Sequence, residues 1–397
     1  MENKEFKTKD KSETYDKLLN LVLDILLRDR TTGNNIIWAT DNYEKDYGHK
    51  PTDIIKKEDI TGDYEGLIKP RLLKSKTEQQ RRTKEKAEVF TPSWVCCIQN
   101  NYFDEQRFGK DVFAKVDYKN KTWKTIDKTI PFPTKEKETW EDYIKSNVIE
   151  ACCGEAPYLV SPFDVVSGEI IPLENRIGLL DRKFRVIKEN YMTKVISSDY
   201  HPNKKEQWKG WAKEALKHTY GYEWSGDNLL LARENVYFTV IDYYREQFNE
   251  DPDNDFLKEI AEIISWNLWQ MDGLKFVVPL SCKDIEKPKP FKKLFATTLD
   301  NIEKLPCPGC EEPNFIKGIT KTTDDKRNNR KDIQGHSGIY CKVKNWDLEP
   351  EGHVIYFGQC LNTTTEELTK QEKIKEYNKP KKVEEIKMGK LFERIGK

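Results

Sequence analysis

Two short apolar runs, each carrying a carboxylate at or near its end, constrain this chain more than any other feature. Val148-Ile149-Glu150-Ala151-Cys152-Cys153-Gly154 reads as a buried strand that runs into a turn of small residues. Tyr220 to Trp224 reads as a second strand with Glu223 near its end. Helical patterning surrounds the second run, over 206–218, 226–248 and 255–270. Strand, turn, helix, strand, helix is the order of a doubly wound α/β sheet with parallel strands. Such sheets bind ligands at the carboxyl ends of their strands, and Gly154 lets a ligand approach the backbone there. A buried strand that ends in glycine is also ordinary packing, so this turn alone does not decide between the two.

The 397 residues suffice for one large domain or two ordinary ones. Lys and Arg number 68 and Asp and Glu 68, so the chain as a whole is no polycation and any nucleic-acid surface must be local. The clearest local excess lies between 69 and 86, where Lys69, Arg71, Lys74, Lys76, Arg81, Arg82, Lys84 and Lys86 face only Glu78 and Glu85. Clustered cations suit phosphate contact, and they equally suit a solvated helix face. A helix is expected over 13–30, a short strand over Ile36 to Ala39, and a helix over 87–104 opened by Thr91-Pro92. The apolar cluster Leu18 to Leu27 is too short and too polar to span a bilayer, and no secretory signal opens the sequence. Nine cysteines, two pairs of them adjacent, argue against a secreted disulfide framework and for a reducing cytoplasm.

Four segments in order add specificity. Glu88-Val-Phe90-Thr91-Pro92-Ser-Trp-Val95, the Glu150 turn, Tyr220 to Asn235 and Trp269-Gln-Met-Asp272-Gly273 together resemble the adenine-specific DNA methyltransferases of restriction-modification systems, most closely their modification subunits. The resemblance covers roughly residues 70 to 280. It implies a Rossmann-like sheet of the class I methyltransferase type that binds S-adenosylmethionine and methylates adenine N6 in double-stranded DNA, with a restriction or specificity subunit as partner. By the same resemblance Phe90, Thr91 and Pro92 cover the methionine end of the cofactor. Glu150, Cys152, Gly154 and Glu155 form its turn, Glu223 bonds the ribose hydroxyls, and Asp272 meets the adenine amine. The role of Glu223 also follows from chemistry, because two hydroxyl donors can share the two oxygens of a carboxylate. Two departures stand out: Ala156-Pro157 replaces the second glycine of the turn, and no Pro-Pro pair exists anywhere for the Asn/Asp-Pro-Pro-aromatic motif that receives a flipped adenine. Asp41-Asn42-Tyr43 is the substitute considered for catalysis, beside ordinary turn chemistry for the same residues. The alternative function is a subunit that keeps the cofactor fold, has lost the base pocket, and acts in recognition or regulation.

A second pattern lies after 283. Cys307-x2-Cys310 followed by His336-x4-Cys341 has the spacing of a tetrahedral zinc site, with Cys360 able to replace His336 and His353 close by. Reduced, unliganded cysteines or a redox pair are the other readings. The expected organisation is thus an N-terminal helical and strand segment at 1–68, the cofactor domain at 69–282, a linker and zinc element at 283–365 and a charged tail at 366–397. Trp208, Trp211, Trp266 and Trp269 read as helix packing, and His49, His201 and His218 as isolated side chains.

Overall fold

The structure, a computed structural model, describes residues 15–86, 88–132, 139–192, 203–288, 302–307, 310, 336–348 and 352–362. The tail expected at 366–397 and residues 308 and 309, between Cys307 and Cys310, lie outside the described residues. The chain is mixed α/β and divides into two compact units, Met1–Trp269 and Gln270–Lys397. The segment at 1–68 falls inside the first unit.

In the first unit a helix over 15–26 (α1) leads to Lys76–Lys86 (α2), Ser93–Phe108 (α3), the hairpin of Ala114–Asp117 (β1) and Thr122–Thr125 (β2), and Val148–Ala151 (β3). Leu179–Ile187 (α4) and Lys204–Lys217 (α5) precede Thr219–Glu223 (β4), Gly226–Phe248 (α6), Asn254–Asn267 (α7) and Leu268–Gln270 (β5). β3 and β4 run parallel with Glu150 opposite Gly221, and β5 lies beside β4. Both strands therefore end on the same edge of the sheet, with Glu150 and Glu223 near that edge. Gly221 leaves room for Cys153, whose sulfur would stand 3.4 Å from a Cβ added there.

Amphipathic patterning explains the helices around this sheet. Phe184 of α4 stacks on Trp208 of α5 and on Tyr243 of α6, and Trp208 also meets Phe248 and Phe256 edge-on. Trp208 is thus a packing residue, as its spacing suggests. Asp253 opens α7 by accepting a hydrogen bond from the Phe256 amide at 3.0 Å. Buried cations close the ends of elements. Arg233 of α6 donates to the carbonyls of Leu26, Arg28, Ser265 and Leu268, tying the end of α1 to the start of β5. Lys183 of α4 donates to the carbonyls of Ser146 at 2.8 Å and His218 at 3.0 Å, just ahead of β3 and β4.

Ile36 to Ala39 is not a strand. It makes only isolated bridges, Ile37 to Ile54 and, just before it, Arg28 to Asn35: its amides donate to the carbonyls of Leu27, Asp53 and Pro51 and the Ile36 carbonyl accepts the Ile55 amide, but Ala39 leaves the extended backbone with a φ of 50°. The Trp38 carbonyl receives the Gly226 amide at 3.0 Å, and the Ala39 carbonyl receives the Trp224 indole at 2.9 Å. The segment thus docks on the start of α6 while bridging to 51–55, and it joins no sheet.

The second unit holds two antiparallel pairs, Ile285–Pro288 (β6) with Ile302–Leu305 (β7) and Lys342–Asn345 (β8) with His353–Tyr356 (β9), followed by the helix Phe357–Asn362 (α8). The stretch 276–281 crosses 339–341 through three main hydrogen bonds: Cys341 amide to Phe276 carbonyl, Val278 amide to Ile339 carbonyl, and Ile339 amide to the Ser281 hydroxyl. Among the described residues no helix is long and apolar enough to cross a membrane.

Gly226 makes the tightest of these approaches, since a Cβ there would lie 2.0 Å from the Ile37 carbonyl oxygen. Gly226→Ala is expected to destabilise the first unit by about 1–3 kcal/mol, the range for overpacking a filled site. A lowered urea midpoint would register it; an unchanged midpoint would mean that 36–39 does not dock on α6.

Candidate cofactor turn and metal centre

The turn after β3 is built from alternating left-handed residues. Cys152, Gly154 and Ala156 have φ of 50°, 54° and 62°, a conformation that costs the two non-glycines free energy and concentrates at functional sites. Glu223, reaching across from β4, holds the turn: one carboxylate oxygen accepts the Gly154 amide at 2.8 Å and the other the Ser225 amide at 3.1 Å. Glu150 accepts the amides of Tyr158 and Leu159 at 3.4 and 3.2 Å. The Phe90 ring lies over the turn, 3.7 Å from the position a Cβ on Gly154 would take. Arg71 stacks its guanidinium on the other part of this assembly, 4.7 Å from the Phe90 centroid, and its amide donates to Glu155 at 2.6 Å. Residues 71, 90, 150–156 and 223 thus meet at one strand edge.

Burial dominates the electrostatics there. It pushes the Glu150 carboxyl well above its usual range, raises Glu155, and lifts Glu223 to about 7 against the lowering effect of the Gly154 and Ser225 amides. One oxygen of Glu155 is buried with no hydrogen-bond partner among the described residues. Neighbouring carboxylates add a smaller upward push: Glu223 on Glu150, Glu88 and Asp227 on Glu155, and Asp227 on Glu223.

Other expected cofactor residues sit differently. The Thr91 carbonyl accepts the Cys96 thiol, and the Pro92 carbonyl accepts the Val95 and Cys96 amides, so both residues open α3. Cys152 is exposed and Cys153 buried. Asp272 belongs to the second unit, where its carboxylate accepts the Leu274 and Lys275 amides at 3.0 and 3.1 Å and so caps its own turn.

The residues considered for catalysis and half of the basic run turn out to be partners of one another. Asp41 pairs with Lys86 at 2.9 Å, and Asn42 accepts from Arg81 at 2.7 Å. The Tyr43 hydroxyl donates to Asp227 at 2.9 Å. Arg82 bonds the same Asp227 oxygen at 2.8 Å, and the Lys74 ammonium lies 3.9 Å from it. Arg82 and Lys74 are buried, which corrects the expectation of an open cationic face at those positions. Lys69, Lys76 and Lys84 are exposed, and Arg71 is half-buried. The sequence hid this because Asp227 is 145 residues from Arg82 and looks like one more polar residue at a helix start. Burial would raise the Asp227 carboxyl, but the charges of Arg82 and Lys74 bring it down to about 2.

The second unit assembles a different set of donors. Cys282, Cys307, Cys310 and His336 bring their ligand atoms within 4.8 Å of one another, a group that can hold a metal ion. His336 Nδ1 is 3.8, 3.6 and 3.7 Å from the sulfurs of Cys282, Cys307 and Cys310. Bonds of about 2.3 Å to sulfur and 2.1 Å to nitrogen put those atoms about 3.6 Å apart in a tetrahedron, so the spacing fits without rearrangement. Cys341 is not in the group: its buried thiol donates to the Gln270 carbonyl at 3.3 Å. His353 and Cys360 are also outside it. Cys282 takes the place expected for Cys341, and no local spacing announces it.

Gly338 explains how Cys282 arrives. A Cβ there would come within 2.8 Å of the Ser281 hydroxyl and 3.0 Å of the Cys282 sulfur, so only glycine lets the segment that follows His336 lie against this one. The thiols are electrostatically unequal. Burial works to raise Cys307, but hydrogen bonds from Ser337 and His336 outweigh it and hold the thiol at about 5. Burial and the neighbouring Cys307 and Cys310 push Cys282 up to about 12. Three converging thiols cannot all ionise without a cation between them.

No known family, curated protein or solved structure matches this chain. Its chemistry is therefore argued from these two constellations.

One metal ion per chain is expected, lost in Cys282→Ser and kept in Cys341→Ser. Metal analysis of the three purified proteins checks this, and a Cys282→Ser protein with a full complement would place the ion elsewhere.

Proposed function

We propose that the first unit binds S-adenosylmethionine at the turn 152–156 and that the chain is a DNA adenine N6-methyltransferase, the modification subunit of a restriction-modification system. One observation carries the reading: Phe90, Gly154 and Glu223, from three distant segments, meet at the ends of two parallel strands in the order the resemblance requires. The adjacency of β3, β4 and β5, with helices between them, supports a Rossmann-like sheet. Each Glu223 oxygen accepts one amide and keeps a further lone pair, so the two ribose hydroxyls of the cofactor have acceptors. The crowd of carboxyls favours a ligand that is itself positive, as the sulfonium and ammonium groups of S-adenosylmethionine are. Phe90 would shield that end from water.

A specific observation favours a second reading, a subunit that binds the cofactor or DNA without transferring the methyl group. Asp41, Asn42 and Tyr43 are each engaged by Lys86, Arg81 or Asp227, and no double proline stands in for them. Such a chain would serve as the recognition or regulatory partner of a restriction or specificity subunit.

The ion of the second unit we assign as structural zinc. Three thiolates and an imidazole fill all four tetrahedral positions and leave none for substrate. The site would carry a net charge of about −1, which Lys275 helps to offset: its ammonium lies 3.6 Å from Asp272, and Asp272 and Cys310 favour its charged form. Thiolates of this kind suit a reducing cytoplasm.

Calorimetry with S-adenosylmethionine, together with transfer of labelled methyl to DNA of varied sequence, separates the readings. Binding with transfer supports the first, binding without transfer the second, and no binding of S-adenosylmethionine removes the first and leaves the second only in its DNA-binding form. Glu223→Ala should weaken binding about tenfold or more, the worth of a charged hydrogen bond. Because burial raises Glu223 to about 7, its accepting carboxylate predominates only above that pH. Affinity should therefore fall as pH drops through 7 and level off above it, and Glu223→Ala should lose that dependence.

A further inference from the structure

The basic helix α2 has two faces, and only one is accounted for. Its inner face is matched charge for charge: Arg82 by Glu78 and Asp227, Arg81 by Asn42 and at 4.0 Å by Glu85, Lys86 by Asp41. On the outer face Lys76, Gln79, Gln80, Thr83 and Lys84 follow the i, i+3, i+4, i+7, i+8 spacing of a single helical stripe. With Arg71 these residues line an open cavity of about 340 Å³ that contains no carboxylate. Gln79, Thr83 and Arg71 are fixed by bonds among themselves and to the carbonyls of Arg71, Lys74 and Glu88. Lys76, Gln80 and Lys84 have no partner among the described residues. The acids that could neutralise this stretch are spent on the other side.

We propose that this stripe is a binding surface for the phosphodiester backbone of duplex DNA, with Lys76, Gln80 and Lys84 as the contacting side chains. The inference rests on the reading above only in naming DNA as the polyanion. Lys76 and Lys84 are about 12 Å apart along the helix axis, three to four nucleotide steps of one strand at about 3.4 Å each. Ammonium groups at that spacing with an amide between them contact phosphates and carry no base readout. Position adds to the argument. Arg71 lines the cavity and stacks on Phe90, and Phe90 covers the Gly154 turn, so a backbone held on the stripe passes beside the proposed cofactor. The inner cations serve instead to hold α2 in place and present this face.

The test is anisotropy of a labelled duplex across roughly 50 to 200 mM salt. It compares the wild type, Lys76→Gln/Lys84→Gln, and a charge-matched control, Lys119→Gln/Lys124→Gln, on the exposed part of the β1–β2 hairpin. Removing two phosphate contacts should lower the salt slope by about 1.8 and weaken binding about tenfold or more, with the control unchanged. Circular dichroism confirms that the variants are folded. An unchanged slope and affinity in Lys76→Gln/Lys84→Gln, an equal loss in the control, no duplex binding by the wild type, or tighter binding of heparin than of duplex would each overturn the proposal. Duplex binding by a protein that does not bind S-adenosylmethionine would remove the methyltransferase reading and leave this surface standing.

Discussion

The architecture of the first unit depends on one buried carboxylate. Asp227, 0% exposed in the first turn of α6, receives Tyr43, Arg82 and the nearby Lys74, and so gathers three segments that are far apart in the sequence. A carboxylate taken out of water is costly, and it persists here because cations and a hydroxyl surround it and a helix N-terminus favours negative charge. Removing one partner of such a group typically costs about 3–5 kcal/mol, more than most apolar contacts contribute. Through Arg82 it seats α2; through Tyr43 it seats the loop before Gly48. The orientation of α2, and with it the division of the basic run into a matched and an unmatched face, follows from that pairing.

The cofactor turn and the metal centre obey a common physical rule. Each collects groups that repel one another when ionised: Glu150 and Glu223 in one, Cys282, Cys307 and Cys310 in the other. In both, burial and mutual repulsion drive some members toward the neutral form, while backbone amides or a neighbouring ring favour the charged form of others. Clusters of this kind gain most from a cation, and the Cys/His group has the donors to hold a metal ion.

Much of this was legible in the sequence where the signal was local. The apolar runs at Val148 and Tyr220 gave β3 and β4, Thr91-Pro92 marked the start of α3 to within two residues, and the periodicity over 226–248 matched α6. Cys307, Cys310 and His336 were found from spacing. Partners set by tertiary packing were not visible: Cys282 replaces Cys341 because Gly338 permits a close approach, and the basic run has two faces because Asp227 lies beneath one of them. Ile36 to Ala39 has strand character by composition, yet Ala39 turns out of the extended backbone and the Trp38 and Ala39 carbonyls are claimed by Gly226 and Trp224. The β1–β2 hairpin escaped notice because its apolar face is only Ala114, Val116 and Trp123, set among Lys, Asp and Thr.

Lys183 makes the carboxyl ends of β3 and β4 depend on the opposite ends of the same strands. The amine, driven well toward its neutral form by burial, bridges the carbonyls that immediately precede β3 and β4. Those two bonds fix where the strands start relative to each other, and in parallel pairing that alignment propagates along their length. A slip of one residue would send alternate side chains to the other face of the sheet, so Glu150 and Glu223 would no longer flank one turn. A core residue that touches no ligand thereby sets the stagger on which any chemistry at the far end depends.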